Sequence, residues 1–294
     1  METSVITYPR IMKDDKLEQE LTEKGYLVLK NFFDKDAVKE LQDYHRNNQP
    51  EFYHNDAIIN SVWHTDDVKY KRKTIEKIIS VYTRFCDQYF VDYKIFGGSF
   101  VIKPPHGKGA SHPHIDFGIV DEETYRSFNL WAPLVKLTKE NGALQVLEGS
   151  HRIKHVFRGP NIPDQTIAYR EWFWEKQKKF YLEPGDALLY DHKAIHGSKD
   201  NFSSQPRIAV SCAMTNSDAE MMMYFQDEKE KKVSAYKVDT DYLLNTKHTN
   251  IPTDFPVYKE WDYQHWQLTP KDFGSLHEVQ NKSLLERIRE LFVN

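Results

Sequence analysis

The fold is decided by two neighbouring blocks of sequence, EPGDALLYDHKAIHGS at residues 183–198 and PRIAVSCAM at residues 206–214. They predict three short strands, Ala187–Tyr190, Ala194–Ser198 and Arg207–Met214, with a Pro-Gly-Asp turn before the first. Short strands as closely spaced as these are typical of a β-sandwich or barrel.

The same pattern of short strands and turn residues extends upstream to Lys94. Asn141-Gly142 and Gly149 mark turns, and Gly97-Gly98 predicts a bulge or a close approach of two backbones. The further predicted strands are Lys94–Lys103, His112–Asp116, Ser127–Lys136, Leu144–Leu147 and Phe180–Leu182.

The N-terminal third predicts helices instead. A first helix ends at Gly25, a second begins with Asp34 as its N-cap, and a third runs from Val68 to Phe90. We therefore predict a mainly β protein with flanking helices (α+β), as a single domain over residues 1–294. Its predicted parts are a helical N-terminal layer (1–93), a β core (94–216) with an insertion (151–179), and a C-terminal extension (217–294).

The insertion and the C-terminal extension are either lids over a site or surface decoration, and the extension is predicted to end in an amphipathic helix, Ser275–Val293. A formal net charge of −4 gives no overall attraction to nucleic acid or to an anionic membrane. The sequence contains no run of about 18 apolar residues, so no membrane span is predicted. Cys86 and Cys212 lack metal or redox spacing, and the N-terminus lacks a secretory pattern. A reduced, cytoplasmic protein with two buried thiols is expected.

Three His-x-Asp triplets are candidates for a metal site, and they begin at His54, His64 and His114. Two histidines and a carboxylate on one face of an iron leave its other positions open for a cosubstrate and oxygen. The first two triplets lie in a polar stretch before a helix. The third lies on a predicted strand, where His114 and Asp116 share one face. It is therefore the preferred candidate.

The remaining candidates lie about eighty residues further on. His196 and Ser198 share one face of a predicted strand, and Arg207 opens the next strand. A buried guanidinium suits a carboxylate ligand, such as that of 2-oxoglutarate. The alternative for Arg207 is a surface ion pair at a sheet edge. His192 is interpreted as a surface residue or as a support for the site.

These blocks resemble the phytanoyl-CoA dioxygenase family over about residues 17–216. The other blocks that carry the resemblance are LTEKGYLVLKNFF at residues 21–33, HPHID at residues 112–116 and NLWAPLVKLTKENGALQVLEGSHR at residues 129–152. The resemblance implies a double-stranded β-helix, the jelly-roll or cupin-like core. It also implies iron(II) at the catalytic residues His114, Asp116 and His196.

The resemblance further implies 2-oxoglutarate held by Arg207, with a hydroxyl contact from Ser198. Asn129 and Trp131 lie on the strand that lines the cofactor pocket in the family, and core packing is their alternative role. The implied reaction is hydroxylation of a small molecule by O2, with release of succinate and CO2, because Asp116 is retained. Desaturation or ring formation is the first alternative. A non-catalytic or differently metallated binding protein is the second.

Substrate contacts are predicted from basic and aromatic residues near the mouth of the site, and they indicate an anionic substrate. A solvated basic loop is the alternative. The predicted contacts are His112, Arg126, Arg152 and Trp172, with additional charge from Lys154, Arg158 and Arg170. The sequence does not indicate the oligomeric state.

Overall fold

The computed structural model describes residues 8–49, 58–153, 157–246, 249–269 and 272. Its helices are α1 (Asp15–Lys24), α2 (Lys35–Asn47), α3 (Val68–Cys86), α4 (Arg170–Lys176) and α5 (Thr240–Asn245). Short 3-10 turns lie at Ser150–Arg152 and Ile167–Tyr169. Among these helices none is both long and apolar enough to cross a bilayer.

The strands form three sheets. Those before the insertion are β1 (Tyr26–Leu29), β2 (Ile59–Asn60), β3 (Tyr93–Lys103), β4 (Ser111–His114), β5 (Ser127–Pro133) and β6 (Leu144–Val146). Those after it are β7 (Lys178–Lys179), β8 (Ala187–Asp191), β9 (His196–Ser198), β10 (Arg207–Asn216), β11 (Met222–Asp227), β12 (Lys232–Lys237) and β13 (Val257–Asp262).

Two antiparallel sheets form the predicted β-helix core. The larger sheet has the order β1-β8-β5-β10-β3-β2, and the smaller has the order β4-β9-β6-β7. Their inner faces share one buried cluster, in which Trp131 and Leu188 of the larger sheet pack with Leu144 and Val146 of the smaller. The functional residues predicted on β4, β5, β9 and β10 are thereby brought between the two sheets.

Alternate side chains of β10 point to opposite faces of the larger sheet. Val210, Cys212 and Met214 face the helical layer and pack into the main core. The Tyr82 hydroxyl of α3 donates to the carbonyl oxygens of Val210 and of Leu130 on β5, and so ties that helix to the sheet. The opposite face of β10 is left for the site.

The structure confirms the predicted N-cap of α2 and the predicted end of α1. Asp34 accepts from the backbone N–H of Ala37 and caps α2. Gly25 ends α1 with φ 79°, in the left-handed region that favours glycine. A Cβ at Gly25 would also come within 2.3 Å of His151 Nδ1, so this position admits only glycine.

Several predicted boundaries are wrong, among them that of the strand predicted at Ser127–Lys136, which ends at Pro133. Helix α3 ends at Cys86 rather than Phe90, and the strand predicted at Phe180–Leu182 is replaced by a two-residue pairing at Lys178–Lys179. Strand β4 ends at His114, so Asp116 lies beyond it. The prediction of two buried free thiols, Cys86 and Cys212, is confirmed.

The C-terminal extension forms a sheet of its own, with the order β11-β12-β13. Met223 and Phe225 on one face of β11, together with Met221 just before the strand, lie in a buried cluster with Leu243 of α5. The helix predicted at Ser275–Val293 and the triplet at His54 lie outside the described residues. The division into helical layer, core, insertion and extension remains a prediction.

Candidate metal centre

Strand pairing brings the two predicted histidine ligands together. His114 at the end of β4 is the register partner of His196 at the start of β9, and their ring centroids are 4.3 Å apart. Asp116 follows β4 and turns back toward them. Its Oδ1 lies 3.5 Å from His114 Nε2 and 3.6 Å from His196 Nε2. These distances exceed ordinary hydrogen bonds, so the three atoms converge without closing on one another.

Hydrogen bonds set the tautomers of both histidines. The Nδ1 atom of His114 lies 2.7 Å from the carbonyl oxygen of His112, and that of His196 lies 3.0 Å from the carbonyl oxygen of Ala194. A carbonyl only accepts, so each Nδ1 carries the proton and each Nε2 presents its lone pair toward Asp116. This is the tautomer that a metal ligand requires.

The protonation states of His196 and Asp116 also suit a cation. Burial lowers the pKa of His196 to about 4, so the ring is neutral near pH 7. Burial opposes ionisation of Asp116, but the neighbouring His196 and His114 outweigh it and hold the pKa of the carboxyl below its usual range. Asp116 is therefore an anion between two imidazoles.

The donor set fits a divalent metal ion. One ligand atom from each of His114, Asp116 and His196 lies within 4.8 Å of the others. The second carboxylate oxygen of Asp116 is buried and has no hydrogen-bond partner, which is costly unless a ligand supplies one. Two imidazoles and one carboxylate are the facial set associated with iron(II). On these grounds the residues fit the group that the sequence predicts.

Arg207 is the first residue of β10 and lies on the face of that strand opposite the helical layer. It is buried, its Nε and Nη1 atoms have no hydrogen-bond partner, and burial lowers the pKa of its guanidinium to about 9. Its Cζ lies 5.3 Å from the ring centroid of Trp131, a cation–π contact. A buried cation with free donors is matched to an anionic ligand. The sheet-edge ion pair considered for Arg207 is therefore wrong.

Ser198 and Asn129 also lie between the sheets. Ser198 is buried, and its carbonyl oxygen accepts from Lys103 Nζ at 3.1 Å. Asn129 is the register partner of Ala213, and its Oδ1 is buried without a hydrogen-bond partner. Asn129 therefore has an acceptor to offer to a ligand.

A cavity of about 350 Å³ opens beside Asp116. Asn129 and Ser211 line it from the larger sheet, and His192 lines it from the turn between β8 and β9. Its size falls within the range of small-molecule sites. The arrangement therefore combines a metal-ligand cluster, an anion-binding arginine and an adjoining cavity.

Comparison with known proteins agrees with this arrangement. The family described as phytanoyl-CoA dioxygenase (PhyH) matches residues 21–209. The chain belongs to the phytanoyl-CoA dioxygenase family. Curated relatives include the dioxygenase lolE1 of Epichloe uncinata, 32% identical over 122 residues, which are 40% of this chain and 44% of that protein. The phytanoyl-CoA dioxygenase of Arabidopsis thaliana is 30% identical over 127 residues, 40% of this chain and 43% of that protein.

The iron/alpha-ketoglutarate-dependent dioxygenase penM of Penicillium thymicola is 30% identical over 105 residues, 35% of this chain and 29% of that protein. The chain thus spans less than half the length of these relatives. Among solved structures, EctD from S. alaskensis with 2-oxoglutarate and 5-hydroxyectoine has a TM-score of 0.50 at 19% identity, covering 71% of this chain and 78% of that one. This likeness confirms the double-stranded β-helix fold shared with the phytanoyl-CoA dioxygenase family.

The substrate contacts predicted from the sequence do not line the cavity beside Asp116. Arg126 is buried and its Nε lies 3.1 Å from Asp191 Oδ2. Arg152 lies beside it, at a separate pocket. His112 is exposed, 6.4 Å from Trp174 between ring centroids. Trp172 packs into an apolar cluster with Ile195. The sequence around these basic residues does not indicate their partners, because the partners lie far away in the chain.

Sequence reasoning missed one support of the candidate site, Lys103, misplaced another, Arg158, and left the role of His192 open. Lys103 is fully buried at the register position of Arg207, and its Nζ also donates to the carbonyl oxygen of Gly109. Arg158 was predicted near the substrate, but it pairs with Glu122 and holds the backbone of Asp116. His192 is buried, with Nδ1 at 2.8 Å from Ser127 Oγ, so it is a support rather than a surface residue. The one sequence signal that could have indicated a buried Lys103 is its position in a predicted strand, Lys94–Lys103.

Arg158→Ala is expected to weaken both the fold and the metal site. The guanidinium makes two contacts to Glu122, at 2.7 and 2.5 Å, and donates from Nε to the Asp116 carbonyl oxygen at 2.7 Å. Removing the guanidinium from the buried Glu122 carboxylate should lower the free energy of unfolding by about 3–5 kcal/mol. Loosening a metal ligand's support should lower iron(II) affinity about 10–100-fold. Chemical denaturation and iron titration measure the two effects.

The double variant Arg158→Met with Glu122→Leu separates these effects. It removes both buried charges, so the free energy of unfolding should recover toward that of the wild type. It still lacks the donor to the Asp116 carbonyl oxygen, so iron affinity should stay low. Wild-type iron affinity in the double variant would show that this donor does not support the site.

Lys103 should make the stability of the protein depend on pH. Burial and the neighbouring Arg207 lower the pKa of Lys103 to about 6, whereas an unfolded lysine has a pKa of about 10.4. Between these values the unfolded state binds more protons, so stability rises with pH, by up to ~1.4 kcal/mol per pH unit. Lys103→Met should flatten that slope. Urea denaturation at about pH 6.5 and about pH 9 measures it, and parallel slopes for the two proteins would contradict the prediction.

Proposed function

We propose that this protein is an iron(II)- and 2-oxoglutarate-dependent dioxygenase that oxidises a small molecule. The observation that carries the proposal is the convergence of His114, Asp116 and His196 within 4.8 Å beside a cavity. Family membership and the buried, unsatisfied guanidinium of Arg207 support the same reaction class. A differently metallated protein without 2-oxoglutarate would have no use for this arginine.

His114, Asp116 and His196 would hold the metal through two Nε2 atoms and one carboxylate. Iron(II), together with 2-oxoglutarate and dioxygen, would supply the oxidising power that breaks a substrate C–H bond, with succinate and CO2 as co-products. The histidine Nδ1–H groups are held by backbone carbonyls, so both rings are oriented before the metal arrives. Such preorganisation avoids a reorganisation cost during the reaction.

Arg207 would bind the distal carboxylate of 2-oxoglutarate, because its free Nε and Nη1 donors need an anionic acceptor. Trp131 lies beside the guanidinium, with its ring centroid 5.3 Å from Arg207 Cζ, and contributes a cation–π contact. The Ser198 hydroxyl is the proposed second contact, since Ser198 lies on β9 two residues beyond His196. Together these residues would orient the cosubstrate toward the metal and exclude bulk water from it.

Hydroxylation is the proposed outcome, because Asp116 keeps its carboxylate in the metal-ligand cluster. A solved structure of similar fold, with a TM-score of 0.50 at 14% identity and covering 83% of this chain and 98% of that one, is titled a non-heme alpha ketoglutarate dependent epimerase, SnoN. The outcomes differ in product mass. A hydroxylated product gains one oxygen atom, a desaturated or cyclised product loses two hydrogen atoms, and an epimer keeps the substrate mass.

The test begins with the protein under anaerobic conditions, loaded with iron(II) and then with 2-oxoglutarate. A weak metal-to-ligand charge-transfer band in the visible should appear for the wild type and be lost in His196→Ala. His112→Ala is the matched control, because His112 is exposed, and it should keep the band. A screen of small molecules for substrate-dependent succinate release would follow. A folded, iron-loaded wild type without the band would refute the proposal.

A further inference from the structure

The cavity beside Asp116 takes one wall from outside the family match. The match ends at residue 209, whereas Met221, Met223 and Leu243 also line the cavity. These three residues, called here the C-terminal wall, are buried in one apolar cluster. Their neighbours Met222 and Tyr224 point the other way, into a different cluster. The surface that meets the substrate is therefore built partly by this chain's own extension.

A bulge in β3 adds a second apolar side chain to the cavity. Ala213 of β10 pairs with Gly97, and the next residue, Met214, pairs with Ile95. Phe96 is therefore the extra residue on β3. A bulge of this kind re-aims a side chain beside a site. Phe96 lines the cavity and packs against the cluster that holds the C-terminal wall.

Part of the cavity floor, at Gly97 and Ala213, carries little or no side chain. A Cβ placed on Gly97 would have no heavy atom within 4 Å, and its register partner is the small Ala213. The neighbouring Gly98 differs, since a Cβ there would come within 2.5 Å of Ile78. Gly97 thus opens space toward the cavity, whereas Gly98 serves close packing against α3.

The described side chains that line the cavity offer no cation to a substrate. Among the described residues that line it there is neither lysine nor arginine. His64 Nδ1 accepts from the backbone N–H of Asn60 at 3.2 Å, which requires an unprotonated nitrogen. A buried anion without a counter-charge would lose its hydration at a large cost. The buried Oδ1 of Asn129, which has no partner, instead suits a hydrogen-bond donor.

From these features we infer that the substrate is an uncharged, mainly apolar small molecule with at least one hydroxyl or N–H group. It lies on the Gly97–Ala213 floor, against the C-terminal wall, and donates to Asn129. The inference rests on the proposed function, because it takes the cavity at Asp116 as the substrate site. The cavity of about 350 Å³ suits a ligand at the small end of the usual range. It replaces the anionic substrate that the sequence indicated.

The test uses two probes with one carbon skeleton, 2-naphthalenemethanol and 2-naphthoate. Calorimetric titration is made anaerobically on protein loaded with iron(II) and saturated with 2-oxoglutarate, so that the carboxylate probe cannot occupy the Arg207 site. The alcohol is expected to bind the wild type at least about 10-fold more tightly, because the carboxylate must be desolvated without a partner.

Two variants locate the binding in this cavity. Gly97→Leu should weaken binding of the alcohol at least about 10-fold by filling the open space above the floor. Met223→Lys should shift the preference toward 2-naphthoate by supplying a counter-charge, while Met223→Leu, the matched control, should keep the wild-type preference. The charge-transfer band with 2-oxoglutarate should persist in Gly97→Leu, which shows that its metal site is intact.

The inference is overturned if 2-naphthoate binds the wild type as tightly as the alcohol, if neither probe binds, or if Gly97→Leu binds the alcohol unchanged. Failure of the proposed function gives a different result. In that case the wild type lacks the charge-transfer band, whatever its preference between the two probes. A present band with no preference for the alcohol overturns the substrate class alone.

Discussion

Arg207→Leu is expected to weaken 2-oxoglutarate binding strongly and, at the same time, to stabilise the ligand-free protein. The guanidinium is buried with two unsatisfied nitrogens, and its pKa is lowered by burial. An unpaired buried group costs about 1–3 kcal/mol or more when charged, so a leucine should raise the free energy of unfolding by about that amount. Removing the partner of a buried carboxylate should cost at least about 2–5 kcal/mol of binding, a loss of 30-fold to several thousand-fold in affinity by the usual conversion of ~1.4 kcal/mol per factor of ten.

Thermal unfolding with and without 2-oxoglutarate measures both effects in one experiment. The wild type should gain melting temperature when the ligand is added, because the ligand binds only the folded state. Arg207→Leu should start higher and gain much less. Arg207→Lys is the matched control, since it keeps the charge but loses the planar fork and should bind with intermediate affinity. A lower melting temperature for ligand-free Arg207→Leu would show that the arginine supports the fold itself.

Asp116→Ala should remove iron binding and turnover together. The carboxylate is the one anionic member of the metal-ligand cluster, and its Oδ1 lies between two histidine Nε2 atoms. Loss of a residue that merely orients a ligand costs about 10–100-fold in affinity, so loss of the ligand itself should cost at least about 100-fold. Iron content after dialysis and substrate-free turnover of 2-oxoglutarate are the two measurements.

Asp66→Ala is the control for this loss, because Asp66 belongs to the second His-x-Asp triplet, His64-Thr65-Asp66, and is exposed on the loop before α3. It should leave iron content unchanged. Equal iron loss in both variants would indicate that binding depends on overall acidity rather than on the cluster at Asp116. Wild-type iron content in Asp116→Ala would show that the carboxylate is not a metal ligand.

The metal-ligand residues and Arg207 could be predicted from the sequence because their signals are local. His114, Asp116, His196 and Arg207 each lie in a short block whose spacing and turn residues carry the information. The helix caps at Gly25 and Asp34 are local for the same reason. Even so, the stated reason for Asp116 was wrong. It reaches the histidines from a loop beyond β4 rather than from the strand face.

The lining of the cavity beside Asp116 depended on the tertiary structure, because it joins segments that are distant in the chain. Which residue faces Arg207 is decided by the pairing of β10 with β3, and this pairing buries Lys103. The partners of Arg126 and Arg158 lie tens of residues away, so their basic character alone did not show that they lie outside the lining of the cavity beside Asp116. The sequence by itself therefore determined the fold class and the chemistry of the centre. Packing of the C-terminal wall against the β3 bulge decided the shape and polarity of the cavity, because only folding sets which apolar surfaces meet.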